Sequence, residues 1–112
     1  MSVDDVISDV VTFIEEQGLA ETTYFMYSSD HGFQLGEFNL LIDKRQSYDH
    51  DTRIHLLVRG PGIAPGSTFD FLGTQVDLAS TWLGLAGVSA PEVAPQMDGK
   101  SIAPLLVNPA LA

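Results

Sequence analysis

Thr22-Thr23-Tyr24-Phe25-Met26-Tyr27-Ser28-Ser29-Asp30-His31-Gly32 begins as a β-branched and aromatic run and ends as a polar loop, and the fold turns on this stretch. Consecutive residues of that kind are apolar on both faces of an extended chain, which suits a strand buried inside a sheet. A second run, Ile54-His55-Leu56-Leu57-Val58, repeats the pattern and stops at Arg59-Gly60-Pro61-Gly62, where Pro and Gly force a turn. Upstream, Ser2 and Asp5 have the spacing of a capping box, and Val3, Val6, Ile7, Val10, Phe13 and Ile14 recur at helical spacing up to Gly18. Downstream, Val76, Ala79, Trp82, Leu83 and Ala86 mark a helix over 75–86 closed by Gly87, with Trp82 expected in the core. A short last helix is expected over 101–106.

Helix, strand, loop, strand, helix is the pattern of an α/β protein, a mostly parallel sheet flanked by helices, in which ligands sit at the carboxyl ends of strands. Asp30 and His31 occupy such an end. Two strands cannot complete a sheet buried on both faces, so the chain is expected to hold only part of one. No repeat, low-complexity stretch or linker divides the 112 residues, which form one domain or a piece of one.

The composition narrows the function. With 45% apolar residues the sequence is that of a packed protein. A formal charge of −10 argues against a nucleic-acid or general polyanion surface, because phosphate affinity needs clustered Lys and Arg. Any anionic substrate must therefore be held locally. Three of the five basic residues, Lys44, Arg45 and Arg53, fall in one stretch beside Asp43, Asp49 and Asp51. The absence of Cys excludes disulfides, thiolate metal sites and cysteine nucleophiles. No segment reads as a membrane span, and Met1-Ser2-Val3-Asp4-Asp5 lacks the basic and apolar regions of a signal peptide.

Between the two strands, residues 33–53 are rich in charge and follow no sustained period, which in a compact protein marks a functional loop. Asp30 and His31 could share a metal there, although Asp-His-Gly alone is also an ordinary Asx turn. His50 and His55 read as local structural residues, and Arg53 as a residue that orders the loop.

Three blocks extend this reading: Ser28-Ser29-Asp30-His31-Gly32-Phe33-Gln34-Leu35-Gly36-Glu37, Asp43-Lys44-Arg45-Gln46-Ser47-Tyr48-Asp49 and Leu56-Leu57-Val58-Arg59-Gly60-Pro61-Gly62. In this order and spacing they resemble the sulfatase family, and Asp98-Gly99-Lys100-Ser101-Ile102-Ala103-Pro104-Leu105-Leu106 resembles the close of that family's large domain. The string Ile42-Asp43-Lys44-Arg45-Gln46, with Tyr48, is most similar to the N-acetylglucosamine-6-sulfatase group.

The resemblance implies an alkaline-phosphatase-like α/β fold, with residues 1–112 as the C-terminal portion of a sulfatase catalytic domain. It implies Asp30 and His31 as ligands of a divalent cation, usually calcium, and Lys44 as the lysine that contacts sulfate during catalysis. Arg45, Tyr48 and Asp49 would support the loop. A carboxylate suits calcium, whereas an imidazole would serve manganese or zinc as well. The expected substrate is a sulfated sugar, in a lysosomal or secreted protein, with neither a nucleic acid nor a membrane as partner. Sulfatases carry a formylglycine made from the Cys or Ser of a Cys/Ser-x-Pro-x-Arg motif, and this sequence contains no such motif, so the chain alone is expected to be inactive. The alternatives are a truncated binding module, or a phosphatase or phosphonate hydrolase of the same superfamily.

Overall fold

The computed structural model describes residues 2–88 and 97–108. Its elements are α1 (Val3–Glu16), β1 (Phe25–Ser28), a short α2 (Asp49–Thr52), β2 (Leu56–Arg59), α3 (Val76–Leu85) and α4 (Ala103–Val107), with 3-10 turns at Ala20–Thr22 and Glu37–Asn39. The chain divides into two compact units, Met26–Val58 and a second made of Met1–Phe25 with Arg59–Ala112. No described helix is long and apolar enough to cross a membrane.

In the second unit, local chemistry sets the helix limits. The Ser2 hydroxyl accepts from the Asp5 amide at 3.1 Å and the Asp5 carboxylate accepts from the Ser2 amide at 2.6 Å, completing the capping box. At the far end Gly18 takes φ +70°, and the amides of Gly18 and Leu19 donate to the carbonyls of Glu15 and Ile14 at 2.9 and 3.1 Å. This Schellman closure requires a left-handed residue, which glycine adopts without steric cost. Gly87 closes α3 in the same way.

The buried centre of that unit lies where α3 meets α4. Ile102, Ala103 and Leu106 are buried, and so are Ser80 and Thr81 of α3. Asp77, in the first turn of α3, accepts from the Lys100 amide at 2.8 Å through one oxygen, and from the Thr74 amide and hydroxyl at 2.9 and 3.0 Å through the other. The amide of Lys100 and then that of Thr74 hold its carboxyl below the ordinary carboxylate range. Thr81, with 0% exposure, donates its hydroxyl to the Asp77 carbonyl at 2.7 Å and accepts from the Ile102 amide at 3.0 Å. Thr81→Val keeps the side-chain shape but leaves the buried Ile102 amide without its acceptor. Denaturant unfolding should report a loss of about 1–3 kcal/mol, while Thr81→Ser, which keeps the hydroxyl, should lose less.

Three expectations are corrected here. First, β1 and β2 form a two-stranded antiparallel pair, not parallel neighbours. The Ser28 hydroxyl, late in β1, donates to the carbonyl of His55 just before β2, while the Tyr24 hydroxyl, just before β1, donates to Pro61 beyond β2. A parallel return needs a crossover, usually a helix packed on the sheet. The connecting segment carries only a 3-10 turn and the four-residue α2, so the chain returns antiparallel. Second, β1 and β2 are half-buried to exposed rather than buried on both faces. Third, Trp82 is 55% exposed and not a core residue. The apolar stripe of α1, Val3, Val6, Ile7, Val10 and Phe13, is likewise exposed. Helical spacing identified these faces as apolar, but each of these residues stays more than a third exposed.

Candidate active-site segment

The unit Met26–Val58 is a pair of strands carrying one long loop, and two ties give the loop its shape. Gln34 and Asp43 form an antiparallel bridge, each amide donating to the other's carbonyl at 2.8 and 3.3 Å, which closes residues 35–42 into a separate excursion. The second tie is Asp51, only 4% exposed. Its carbonyl accepts from the Gly32 amide at 2.8 Å and its carboxylate accepts from the Gln46 amide at 2.6 Å. Gly32 passes so close that an added Cβ would collide with the His50 carbonyl. One residue thus fastens both the Asp30-His31-Gly32 arm and the Lys44-Arg45-Gln46 arm. The other Asp51 oxygen has no protein hydrogen-bond partner.

Asp30 and His31 come together directly. The Asp30 carboxylate accepts from the His31 amide at 3.0 Å, and its second oxygen lies 3.1 Å from His31 Nε2. His31 Nδ1 lies 2.7 Å from the Gly32 carbonyl. That carbonyl can only accept, so Nδ1 carries a hydrogen. Nε2 then faces the carboxylate either as a second N–H or as a lone pair sharing a cation with it. For bonds of about 2.0–2.4 Å, adjacent ligands of one metal lie about 3 Å apart, so this spacing fits a shared divalent ion. Partial desolvation would raise the Asp30 carboxyl, but the charge of His31, hydrogen bonds from backbone amides and the charge of Lys44 outweigh it and hold the group below its ordinary value. The ionised form of the carboxyl is thereby favoured. Among the described residues no three His, Asp or Glu side chains are grouped so as to hold a metal ion.

Lys44 is exposed on the adjacent arm, near enough for its charge to act on Asp30. Arg45 takes the neighbouring Asp43 as its partner at 2.7 Å. His55 stacks on Tyr27 with ring centroids 5.0 Å apart, a structural role. The Arg53 amide donates to Asp49, ending the turn of α2. His50 meets Phe38 edge-on at 5.6 Å, and both line a cleft with Tyr48 and Asp49. Sequence reasoning placed Asp51 in the charged stretch but gave it no role, because its partners are amides that only the folded loop brings near. Gln34 was also missed.

The sulfatase family model matches residues 1–88, and the chain belongs to the sulfatase family. It is 45% identical to the N-acetylglucosamine-6-sulfatase of Bos taurus over 95% of its length and 19% of that protein. It is 40% identical to the extracellular sulfatase SULF-1 homolog of Drosophila melanogaster, over 96% of this chain and 9% of that one. The chain therefore spans about a fifth or less of the length of these curated relatives. Among solved structures it matches BT4656 in complex with its substrate D-glucosamine-2-N,6-O-disulfate, with a TM-score of 0.82, 37% identity, and coverage of 95% of this chain and 21% of that one. A phosphonate monoester hydrolase from Silicibacter pomeroyi matches with a TM-score of 0.81 and 30% identity, over 94% and 20% of the two chains.

Proposed function

We propose that this segment is the C-terminal portion of the catalytic domain of a sulfuric ester hydrolase that removes sulfate from sulfated sugars, with 6-sulfated N-acetylglucosamine of glycosaminoglycans as the substrate. The observation that carries this reading is the likeness to N-acetylglucosamine-6-sulfatases across almost the whole chain, including the loop that holds Asp30, His31 and Lys44. The substrate of the matched solved structure, a 6-O-sulfated glucosamine, supports the same class. A lysosomal or secreted location accords with the relative named as an extracellular sulfatase.

In this reading Asp30 and His31 supply two ligands to a divalent cation, calcium by preference, which would polarise a sulfate oxygen when bound. Lys44 places an ammonium against the sulfate oxygens, where negative charge grows as the ester bond breaks. The nucleophile, a formylglycine hydrate, and the remaining metal ligands lie in sequence outside these residues. A phosphonate or phosphate ester is the second reading, favoured by the likeness to the phosphonate monoester hydrolase. A catalytically inactive, truncated binding module is the third.

One experiment separates them. The 112-residue chain should release no sulfate from 4-nitrophenyl sulfate or N-acetylglucosamine 6-sulfate, whereas a longer protein containing it and a Cys/Ser-x-Pro-x-Arg motif should hydrolyse both. Turnover that copurifies with the short chain would overturn the division of the site. A longer protein that prefers phosphonate monoesters would favour the second reading.

A further inference from the structure

Lys44 stands on a span of backbone that is fixed at both ends. On one side Asp43 is bridged to Gln34, each amide donating to the other's carbonyl at 2.8 and 3.3 Å, and the Asp43 carboxylate holds Arg45 at 2.7 Å. On the other side the Gln46 amide donates to the Asp51 carboxylate at 2.6 Å. Between these anchors the backbone is strained: Asp43 sits at φ 151°, in a region that residues other than glycine adopt at a cost. Such a conformation persists only where its surroundings hold it, and this one stands directly before Lys44.

Asp51 is itself held firmly. It lies in α2, whose turn is closed by the amides of Asp51 and Thr52 donating to the Tyr48 carbonyl at 2.9 and 3.0 Å, and by that of Arg53 donating to Asp49 at 2.9 Å. Asp51 is buried, and among the described residues its second carboxylate oxygen has no hydrogen-bond partner. Taking a carboxylate out of water on a single hydrogen bond costs more than that bond returns, so stability does not account for an acid here. The two arms of the loop use different parts of this residue. Gly32, next to His31, donates its amide to the Asp51 carbonyl, which any residue at this position would offer. The Gln46 amide, two positions from Lys44, needs the side chain.

We propose that Asp51 is a positioning residue for Lys44: its carboxylate draws in the Gln46 amide, holds the span 43–46 in its strained form and so aims the ammonium at the ester being cleaved. The proposal rests on the sulfate-ester reading above, in which Lys44 meets the sulfate oxygens. Its effect falls on the step at which charge grows on those oxygens and leaves the Asp30 and His31 pair in place.

The test is a double-mutant cycle in the longer protein, with Asp51→Ala, Lys44→Ala and the two combined, and with Asp51→Asn beside them. Asp51→Ala should lower kcat for N-acetylglucosamine 6-sulfate about 10- to 100-fold, the loss expected when a catalytic group is misplaced by about 1 Å, and should leave KM within about threefold. In the Lys44→Ala background the same substitution should cost no more than about twofold, because no ammonium is left to misplace. Asp51→Asn keeps an acceptor for the Gln46 amide and should stay within about threefold of wild type. Bound metal should be unchanged throughout. An unchanged kcat in Asp51→Ala, an equal loss in both backgrounds, a loss in Asp51→Asn as large as in Asp51→Ala, or a fall in metal content alongside the rate overturns the proposal. Should Asp51→Ala not fold, Asp51→Ser, whose oxygen stops short of the amide, is read in its place by the same criteria. If Lys44→Ala lowers the rate and Asp51→Ala does not, the positioning role falls and the sulfatase reading stands. If the wild type cleaves phosphonate monoesters instead, that reading falls and the cycle is read on the phosphonate. If it cleaves neither, calorimetry with inorganic sulfate replaces turnover: binding that either substitution weakens, with no further loss in the pair, supports the positioning role, and any other result overturns it.

Discussion

Replacing Lys44 with alanine in the longer protein is expected to lower kcat/KM for sulfate esters about 10²- to 10³-fold, the range typical of removing one preorganised charge-stabilising donor. Folding should be spared, because Lys44 is exposed and its neighbour Arg45, not Lys44, holds Asp43. Surface substitutions of that kind shift stability by no more than about 0.5 kcal/mol. The ammonium should matter most when charge moves onto the sulfate and leaving-group oxygens, so kcat should fall along with kcat/KM. Lys44→Arg keeps the charge but changes its shape and reach, and should restore only part of the rate. Steady-state kinetics and thermal unfolding on the same preparations provide the check. Unfolding by Lys44→Ala, or unchanged kinetics, would remove Lys44 from the site.

The second large effect is expected at Asp30. On the proposed assignment of Asp30 as a metal ligand, Asp30→Ala in the longer protein should cut turnover at least about 10³-fold and lower the bound divalent metal. Asp30→Asn keeps a neutral oxygen and should retain more metal than the alanine variant. Metal content by elemental analysis and sulfate release should fall together. A chelator should silence the wild-type protein, and re-addition of calcium, manganese or zinc in separate samples should identify the ion that restores it. Full activity and metal content in Asp30→Ala would reduce Asp-His-Gly to a turn.

How far these residues could be found without coordinates varied with the range of the forces that place them. The caps of α1 were readable at Ser2, Asp5 and Gly18 because capping bonds join residues only a few positions apart. The two strands were readable as apolar runs, although β1 begins at Phe25 and the earlier Ala20–Thr22 forms a 3-10 turn. Their direction was not, because it depends on the path of the loop between them. Trp82 shows another limit of periodicity: helical spacing tells which face is apolar, not what lies against it, and 55% of this residue is exposed. In the candidate site, Asp30, His31 and Lys44 were readable only through three blocks of similarity. Asp51 and Gln34 carried no local signal. Asp51 acts through amides up to 19 positions away, those of Gly32 and Gln46, and Gln34 is conspicuous only once its burial is known.

The bridge between Gln34 and Asp43 has an evolutionary consequence. By closing residues 35–42 on themselves, it isolates that excursion from the arms that Asp51 fastens. Lengthening a loop whose ends are already joined adds little closure entropy, so insertions and deletions there need not disturb the spacing of Asp30, His31 and Lys44. Phe38 lies within the excursion. Its aromatic side chain can therefore be exchanged without moving the arms that Asp51 fastens.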